Sequence, residues 1–409
     1  MIRICSFNRV PIFPTTRIPE KILQYSASIE QQLPGKAVLT VAYVGSQGRN
    51  LFLRGITNRI TGVIMNPTTG VGTVVREFSV VSGTTVTNRF AEIDTKTSGG
   101  TDSYNGLQVL INRRFSQGLT FGTQYVWGHS IGNSDGSKDA RSSSNNYSFS
   151  SERGDNISDV RQSLNLSMLY ELPFGSGKKF GSNASPLAKG ILGGWQFGTL
   201  FNARTGLPID VEIVRAAVVY KNPATGIVYS APRDANGGLV SATGLPPATV
   251  PLVNVPGGGQ SRNVARPDLI PGVDPYIHNN GWLYVNPAAF AMPAPGTYGN
   301  LARNALRGPG ISQLDLTLSK KFPVSDRMNF EFRAECYNIL NSPVYQVPGY
   351  ATVSGSQIRL ADATGTIQPG QAFNASAAGG GFGALTNTVS NTVGSGTNRQ
   401  FQLALRFSF

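Results

Sequence analysis

The residues best suited to chemistry lie in Gly128-His129-Ser130-Ile131-Gly132, which fits G-x-S-x-G, and the pattern returns in Gly132-Asn133-Ser134-Asp135-Gly136. In a hydrolase such a serine sits on a sharp strand-to-helix elbow, and His278 lies downstream in the order a Ser–Asp–His set requires. The helix is what the sequence fails to supply. Asn133 to Asn146 is a run of Gly, Ser, Asp and Asn with no apolar stripe, so it reads as a loop leaving a strand. Gly175-Ser176-Gly177-Lys178-Lys179 resembles a phosphate loop but lacks the G-x-x-x-x-G-K-[ST] spacing and the helix that would supply an anion site, and a turn is expected there. His129 and His278 are too few for a histidine-rich metal centre, and Cys5 and Cys336 provide no disulfide framework. Glu331 and Glu335 share one strand face, as a pair of catalytic carboxylates would, yet a polar channel lining accounts for them without glycosidase chemistry. No catalytic, cofactor-binding or metal-binding residue is assigned, and the chain reads as non-enzymatic.

The elements around these motifs are strands. Of 409 residues 48 are glycine and 25 proline, and charged residues are only 14%, well below the roughly 25% of ordinary soluble proteins. Turn formers joined to β-branched and aromatic runs favour an all-β chain. No stretch approaches the roughly 18 to 20 apolar residues of a spanning helix, so a membrane protein of this sequence has to be a closed barrel. The net charge of +13 is scattered and comes with no nucleic-acid signature, so a nucleic-acid partner is not expected. Met1 to Arg17 lacks the apolar core of a secretory signal, which an exported barrel needs, so either the compartment is not an exported one or the beginning is missing.

The clearest pattern is at the end. Phe401, Leu403, Leu405, Phe407 and Phe409 alternate with Gln400, Gln402, Ala404, Arg406 and Ser408, over about the 9 to 11 residues a tilted barrel strand needs. Leu314, Leu316 and Leu318 alternate with Asp315, Thr317 and Ser319, and Phe330, Phe332, Ala334 and Cys336 with Glu331, Arg333, Glu335 and Tyr337. Further strands are expected over Leu23 to Leu33, Leu39 to Tyr43, Leu107 to Ile111, Leu119 to Trp127, Leu164 to Tyr170 and Trp195 to Phe201. Connections at 34–36, 116–118, 174–190 and 323–327 are short or moderate, while those near 55–100, 131–158, 206–310 and 342–397 are long and rich in Gly, Ser, Thr and Asn. Strict alternation of short and long is the asymmetry of outer-membrane barrels, whose periplasmic turns are short and extracellular loops long. In that frame Asp315, Glu331, Arg333, Glu335 and Arg406 face a wet lumen. Tyr125, Trp127, Tyr170, Phe174, Trp195, Phe322 and Tyr337 sit near strand ends and could form interfacial girdles. About nine long strands are expected, an odd number where single-chain bacterial barrels have an even one, so N-terminal strands are expected to be missing.

A family resemblance follows from the motifs. Gln32-Leu33-Pro34-Gly35-Lys36 through Ala42-Tyr43-Val44-Gly45-Ser46 resembles a barrel strand pair of Oar-like TonB-dependent receptors. In order come Asp159-Val160-Arg161-Gln162, Tyr170-Glu171-Leu172-Pro173-Phe174-Gly175, Gly193-Gly194-Trp195-Gln196 and Thr205-Gly206-Leu207-Pro208. Then follow Asn286-Pro287-Ala288-Ala289-Phe290, Gly299-Asn300, Arg303-Asn304, Arg307-Gly308-Pro309-Gly310, Asp315 with Lys320, and Glu335 with Tyr337-Asn338 and Asn341. The resemblance implies a barrel of about 22 strands, of which this chain would be the C-terminal part over 21–409. Residues 1–20 are an unmatched segment that a misassigned start would explain.

The same resemblance implies an N-terminal plug and a box that engages TonB, with energised uptake of an unknown ligand only when those parts are present. Outer-membrane lipid and lipopolysaccharide are the expected surroundings. The terminal residues Phe401, Leu403, Leu405, Phe407 and Phe409 resemble the signal read by the outer-membrane assembly machinery. A passive porin or a surface adhesin would share most of these features, and a soluble G-x-S-x-G hydrolase is the remaining alternative.

Overall fold

The computed structural model describes residues 10–12, 18–134, 144–145, 148–231, 245–246, 248–256, 264–279, 282–323, 328–348, 357–360, 362, 366–374, 381–389 and 398–409. Nine long strands follow one another across a single antiparallel sheet: β1 (Lys21–Leu33), β2 (Ala37–Thr57), β3 (Ile93–Ser116), β4 (Leu119–Gly132), β5 (Gln162–Glu171), β6 (Trp195–Arg204), β7 (Ile311–Pro323), β8 (Asn329–Tyr337) and β9 (Gln400–Ser408). Each pairs with its sequence neighbours, and among the described residues β1 and β9 are the two edges, so the sheet is not closed. Val10–Ile12 adds a short parallel pairing to Ile93, Asp94 and Thr95.

The turns are where the turn chemistry puts them. Gly35 and Lys36 (φ 80° and 65°) reverse the chain between β1 and β2, and Gln117 and Gly118 (φ 53° and 80°) between β3 and β4, left-handed conformations that glycine adopts without steric cost. The second motif Gly132–Gly136 ends in Asp135 and Gly136, outside the described residues, as does most of the turn at 323–327.

Register carries the alternation from strand to strand. Residues directly opposite in a ladder share a face, and the pairs Gln31–Leu39, Leu39–Ile111, Ile111–Thr123, Thr123–Leu166, Leu166–Phe201 and Phe201–Leu314 link seven strands into one row that is apolar except at Gln31 and Thr123. Nearer the short turns, Leu119–Tyr170–Phe197–Leu318–Ala334–Leu403 forms another. The opposite face holds Gln124–Asn165–Asn202–Gln313 and Thr317–Glu335–Gln402. It is interrupted by Leu110, Leu169 and Leu200, so the polar phase is less pure than the alternation in β7 to β9 suggests.

Three expectations need correction. β2 and β3 run to Thr57 and from Ile93, 21 and 24 residues long, about twice the span a membrane needs. Their outer halves form a hairpin with buried Leu51, Leu53, Ile56 and Ile93, bent at register shifts beside Arg49 to Leu53 and tied by Arg54 to Asp94 at 2.7 Å. Tyr337 falls on the polar face, where its hydroxyl donates to Glu335 at 2.8 Å, so it belongs to no apolar girdle. Phe174 lies beyond β5, against Phe180 in the connecting segment.

Thirdly, the described residues of the 206–310 and 342–397 connections are folded. Pro208–Ile213 pairs antiparallel with Leu306–Arg307 and parallel with Gln357–Leu360, and Val218–Lys221 lies between Val228–Ser230 and Val250–Val253. Ile209, Val211, Val285, Phe290, Leu360 and Phe373 enclose a hydrophobic core drawn from both the 206–310 and 342–397 connections. We call this body the cap. Phe290→Ala should cost the cap about 3 to 5 kcal/mol through the cavity it leaves. Limited proteolysis should show faster cleavage within 206–310 while the fragments from the nine strands stay protected.

Candidate functional site

Two sets of charges stand out, one on the polar face and one where the β4–β5 connection meets the cap. The first lies on β7, β8 and β9. Asp315 accepts from Gln313 Nε2 at 2.9 and 3.0 Å and from the Asn338 backbone N–H at 2.8 Å, fixing the chain as it leaves β8. Arg333 lies between two carboxylates, 3.0 Å from Glu331 and 3.6 Å from Glu335. Arg406 is directly across from Glu331, and Lys321 faces the same glutamate from the other side. All five polar residues singled out from the sequence therefore share one face of three adjoining strands, with Asp315 on β7, Glu331, Arg333 and Glu335 on β8 and Arg406 on β9.

The apolar partners occupy the reverse side. Phe401, Leu403, Leu405 and Phe407 stand opposite Cys336, Ala334, Phe332 and Phe330. Phe401, Leu403 and Leu405 are 75%, 73% and 72% exposed. Phe409 stacks on Phe407 with ring centres 5.7 Å apart.

The second set was not legible as a unit. Asp155 and Asp159 receive Arg161 at 3.0 and 2.8 Å, and Arg307 Nη2 donates to a carboxylate oxygen of each. His129 Nε2 is 2.9 Å from Asp155. Arg307 also donates to the Gly206 carbonyl at 3.2 Å, and the Arg161 N–H donates to Thr205 Oγ1 at 3.0 Å. Asn304 Nδ2 donates to the Asp155 carbonyl at 2.5 Å. Four motifs that the family resemblance named separately, around Asp159, Thr205, Arg303 and Arg307, thus converge at the root of the cap. Gly206 has no room for a side chain: a Cβ there would lie 1.7 Å from the Gly308 carbonyl oxygen.

One ligand atom from each of His129, Asp155 and Asp159 lies within 4.8 Å of the others, close enough to suggest a metal centre. The partners argue against it. Two guanidiniums already neutralise the two carboxylates, and a cation would have to displace both. The cluster reads as a clamp holding the β4–β5 connection to the cap.

Above it lies a second, buried group. Arg266 bridges Glu152 at 3.0 Å and Asp210 at 3.1 Å, and none of the three is more than 6% exposed at its side chain. Burial opposes ionisation of Glu152, but Arg266 and Ser144 outweigh it and hold the carboxyl below its usual range. Burial likewise acts against the Arg266 cation, and Asp210 and Glu152 more than reverse that effect. Asp155 is also held low: burial opposes this, and His129, Arg161 and Arg307 prevail.

Ser130 and His278 do not form a hydrolase site. β4 continues as a ladder through Ser130 and Gly132, opposite Tyr104 and Asp102, so Ser130 stands on no elbow. Its hydroxyl accepts from Asn156, and His278 pairs with exposed Asp274 at 3.0 Å on another connection. Gly175-Ser176-Gly177 forms a turn, with φ of 108° at Gly175 and 67° at Gly177, and Lys178 donates to Glu171.

Depressed carboxyl values fix the sign of the pH response. The stabilisation from Glu152 and Asp155 is complete above the ordinary carboxylate range and is lost as pH falls through their lower folded values. Cap cleavage by an acid-active protease should rise there, before the wall loses its strand signal in circular dichroism. Arg266→Met should destabilise the cap by about 3 to 5 kcal/mol at neutral pH, because Glu152 and Asp210 are left buried and unneutralised. Unchanged cleavage in that variant would refute the bridge's structural role.

A family model described as an outer membrane beta barrel domain matches residues 10–402. Among solved structures, the ferric-catecholate import receptor Fiu of Escherichia coli K12 is 10% identical with a TM-score of 0.32, covering 87% of this chain and 26% of that one. The outer membrane transporter YddB of Escherichia coli is 8% identical with a TM-score of 0.39, covering 98% of this chain and 34% of that one. No curated protein matches. A two-faced antiparallel wall and a family match over almost its whole length lead to one assignment: this chain belongs to the outer membrane β-barrel family and resides in the bacterial outer membrane.

Proposed function

We propose that this chain is the C-terminal part of the barrel of an Oar-like TonB-dependent transporter, taking part in energised uptake when joined to a plug and further strands. The observation that carries the reading is the division of the sheet into apolar rows on one face and the ion-bearing rows of β7 to β9 on the other. Lipid offers the backbone no hydrogen bonds, so a spanning wall has to pair its amides internally while its side chains divide between lipid and water. Asp315, Glu331, Arg333, Glu335 and Arg406 then line the wet interior, and the cap stands outside the cell over the pore. The order of family-like motifs from Gln32 to Asn341 supports the transporter type. In this reading the wall binds and conducts rather than catalyses, and TonB acts through the plug.

The folded cap gives weight to a second reading, a surface adhesin, since a body with its own core presents a fixed surface. Coding sequence upstream distinguishes the two. A plug and TonB box in frame, or in an adjoining split gene, support the transporter; a complete gene with neither overturns it.

The faces are tested directly on β9. Leu405→Arg should cost about 2 to 4 kcal/mol near the bilayer midplane, and Ala404→Arg much less on the wet side. Equal costs in a membrane-folding titration would contradict the assigned faces. Deleting Phe409 should reduce outer-membrane assembly sharply, and wild-type insertion without it would reject its role as an assembly signal.

A further inference from the structure

The segment between β5 and β6 contains a short helix, α1 (Pro186–Leu192), started by Ser185, whose hydroxyl accepts the Ala188 N–H at 3.3 Å. Its last carbonyls are taken by side chains from the wall. Lys320 Nζ donates to the Gly190 and Ile191 carbonyls at 2.6 and 2.5 Å, and Trp195 Nε1 donates to Ile191 at 3.0 Å. Lys320 and Trp195 face each other across β6 and β7 and belong to the apolar face, in line with Phe332 and Leu405. The Lys320 ammonium is also 5.0 Å from the Trp195 ring and 4.9 Å from Phe322. The C-terminal end of α1 is therefore fastened to the side of the wall that meets lipid.

An isolated charge on that face would be expensive. Here Lys320 is only 2% exposed, and its ammonium satisfies carbonyls that would otherwise lack partners at the helix end. The helix in turn leaves Leu187, Ile191 and Leu192 75%, 58% and 49% exposed, and Phe174 and Phe180 beside it 41% and 47%. These five residues belong to the segment at the short-turn end of β5 and β6 that Lys320 and Trp195 of the apolar face hold. Between 172 and 194 the chain has Lys178, Lys179 and Lys189 and no Asp or Glu. Lys178 pairs with Glu171 at the edge of the segment, and apolar residues beside Lys179 and Lys189 are the composition of an element lying in a headgroup layer. Gly175 and Gly193 permit the tight fold, since a Cβ on Gly175 would come within 2.7 Å of the Gly193 Cα.

We propose that the 172–194 segment is an interfacial anchor, with α1 lying among anionic phospholipid headgroups of the periplasmic leaflet and Lys320 and Trp195 holding it to the wall. This rests on the apolar face meeting lipid, so the test reports that separately. The full chain, with Cys5→Ser and Cys336→Ala, is inserted into phosphatidylcholine vesicles with or without phosphatidylglycerol. A nitroxide is attached at Leu187→Cys or, as a reference on β9, at Leu403→Cys. Collision with oxygen relative to a water-soluble nickel chelate reports depth.

Both labels should favour oxygen, with Leu187→Cys shallower than Leu403→Cys and its preference rising several-fold when phosphatidylglycerol is present. Lys178→Gln, Lys179→Gln and Lys189→Gln together should abolish that rise. Lys320→Met should release the label at 187 into water and leave the label at 403 in lipid. A label at 403 in lipid with one at 187 in water would overturn the anchor and leave the barrel reading intact. Indifference to phosphatidylglycerol would overturn the choice of anionic headgroups. Both labels in water would overturn the barrel reading and the anchor with it.

Discussion

The constraint on which this structure depends is that a peptide group surrounded by hydrocarbon has no water to fall back on. Every N–H and C=O in the spanning region has to find another backbone, and an antiparallel ladder provides this with a two-residue repeat. Once the ladder is fixed, side-chain chemistry has only two directions in which to go. The apolar row from Leu39 to Leu314 and the charged set around Arg333 are two consequences of one hydrogen-bonding rule.

Above the lipid a different rule takes over. Water satisfies exposed amides there, and order has to come from burial. β2 and β3 continue upward only because Leu51, Leu53, Ile56 and Ile93 are covered, and the cap holds its form around Ile209, Val211 and Phe290. Charge is handled differently in the two regions. On the polar face Arg333 is 41% exposed at its side chain and its ion pairs are partly screened, so they contribute little stability. At the cap the Arg266 bridge is dry, and one guanidinium faces two carboxylates, so the cost of burying them is met by the cation together with the Ser144 and Asn304 N–H groups that donate to Glu152 and Asp210.

What was legible in the sequence followed from the same contrast. β9 could be read residue by residue, because the alternation of apolar and polar side chains is undisturbed from Phe401 to Phe407. Pro208 to Ile213 also alternates, but all six residues are buried, Asp210 and Glu212 included, so the pattern does not reveal which face is covered. Arg266 and Glu152 are 114 positions apart, and nothing local to either announces the other. Asp159 and Arg307 were noticed as motif residues, yet their meeting depends on how two long excursions return. α1 was missed because seven residues containing Pro186 and Gly190 give a poor helical signal; Ser185 before Pro186 was the available cue. Nearness to a strand end suggests a girdle position for Tyr337, while its parity in β8 puts it beside Glu335.

The approach of Gly206 to Gly308 has a consequence for how such a molecule can vary. The excursion between them departs and returns at a single crossing, backbone against backbone. Its interior can lengthen at a cost that grows only logarithmically, about 0.6 kcal/mol for each doubling of a flexible loop. Added length within 206–308 therefore leaves every strand of the host in register, while the core it shares with Ile358, Leu360 and Phe373 fixes what such an insertion has to preserve.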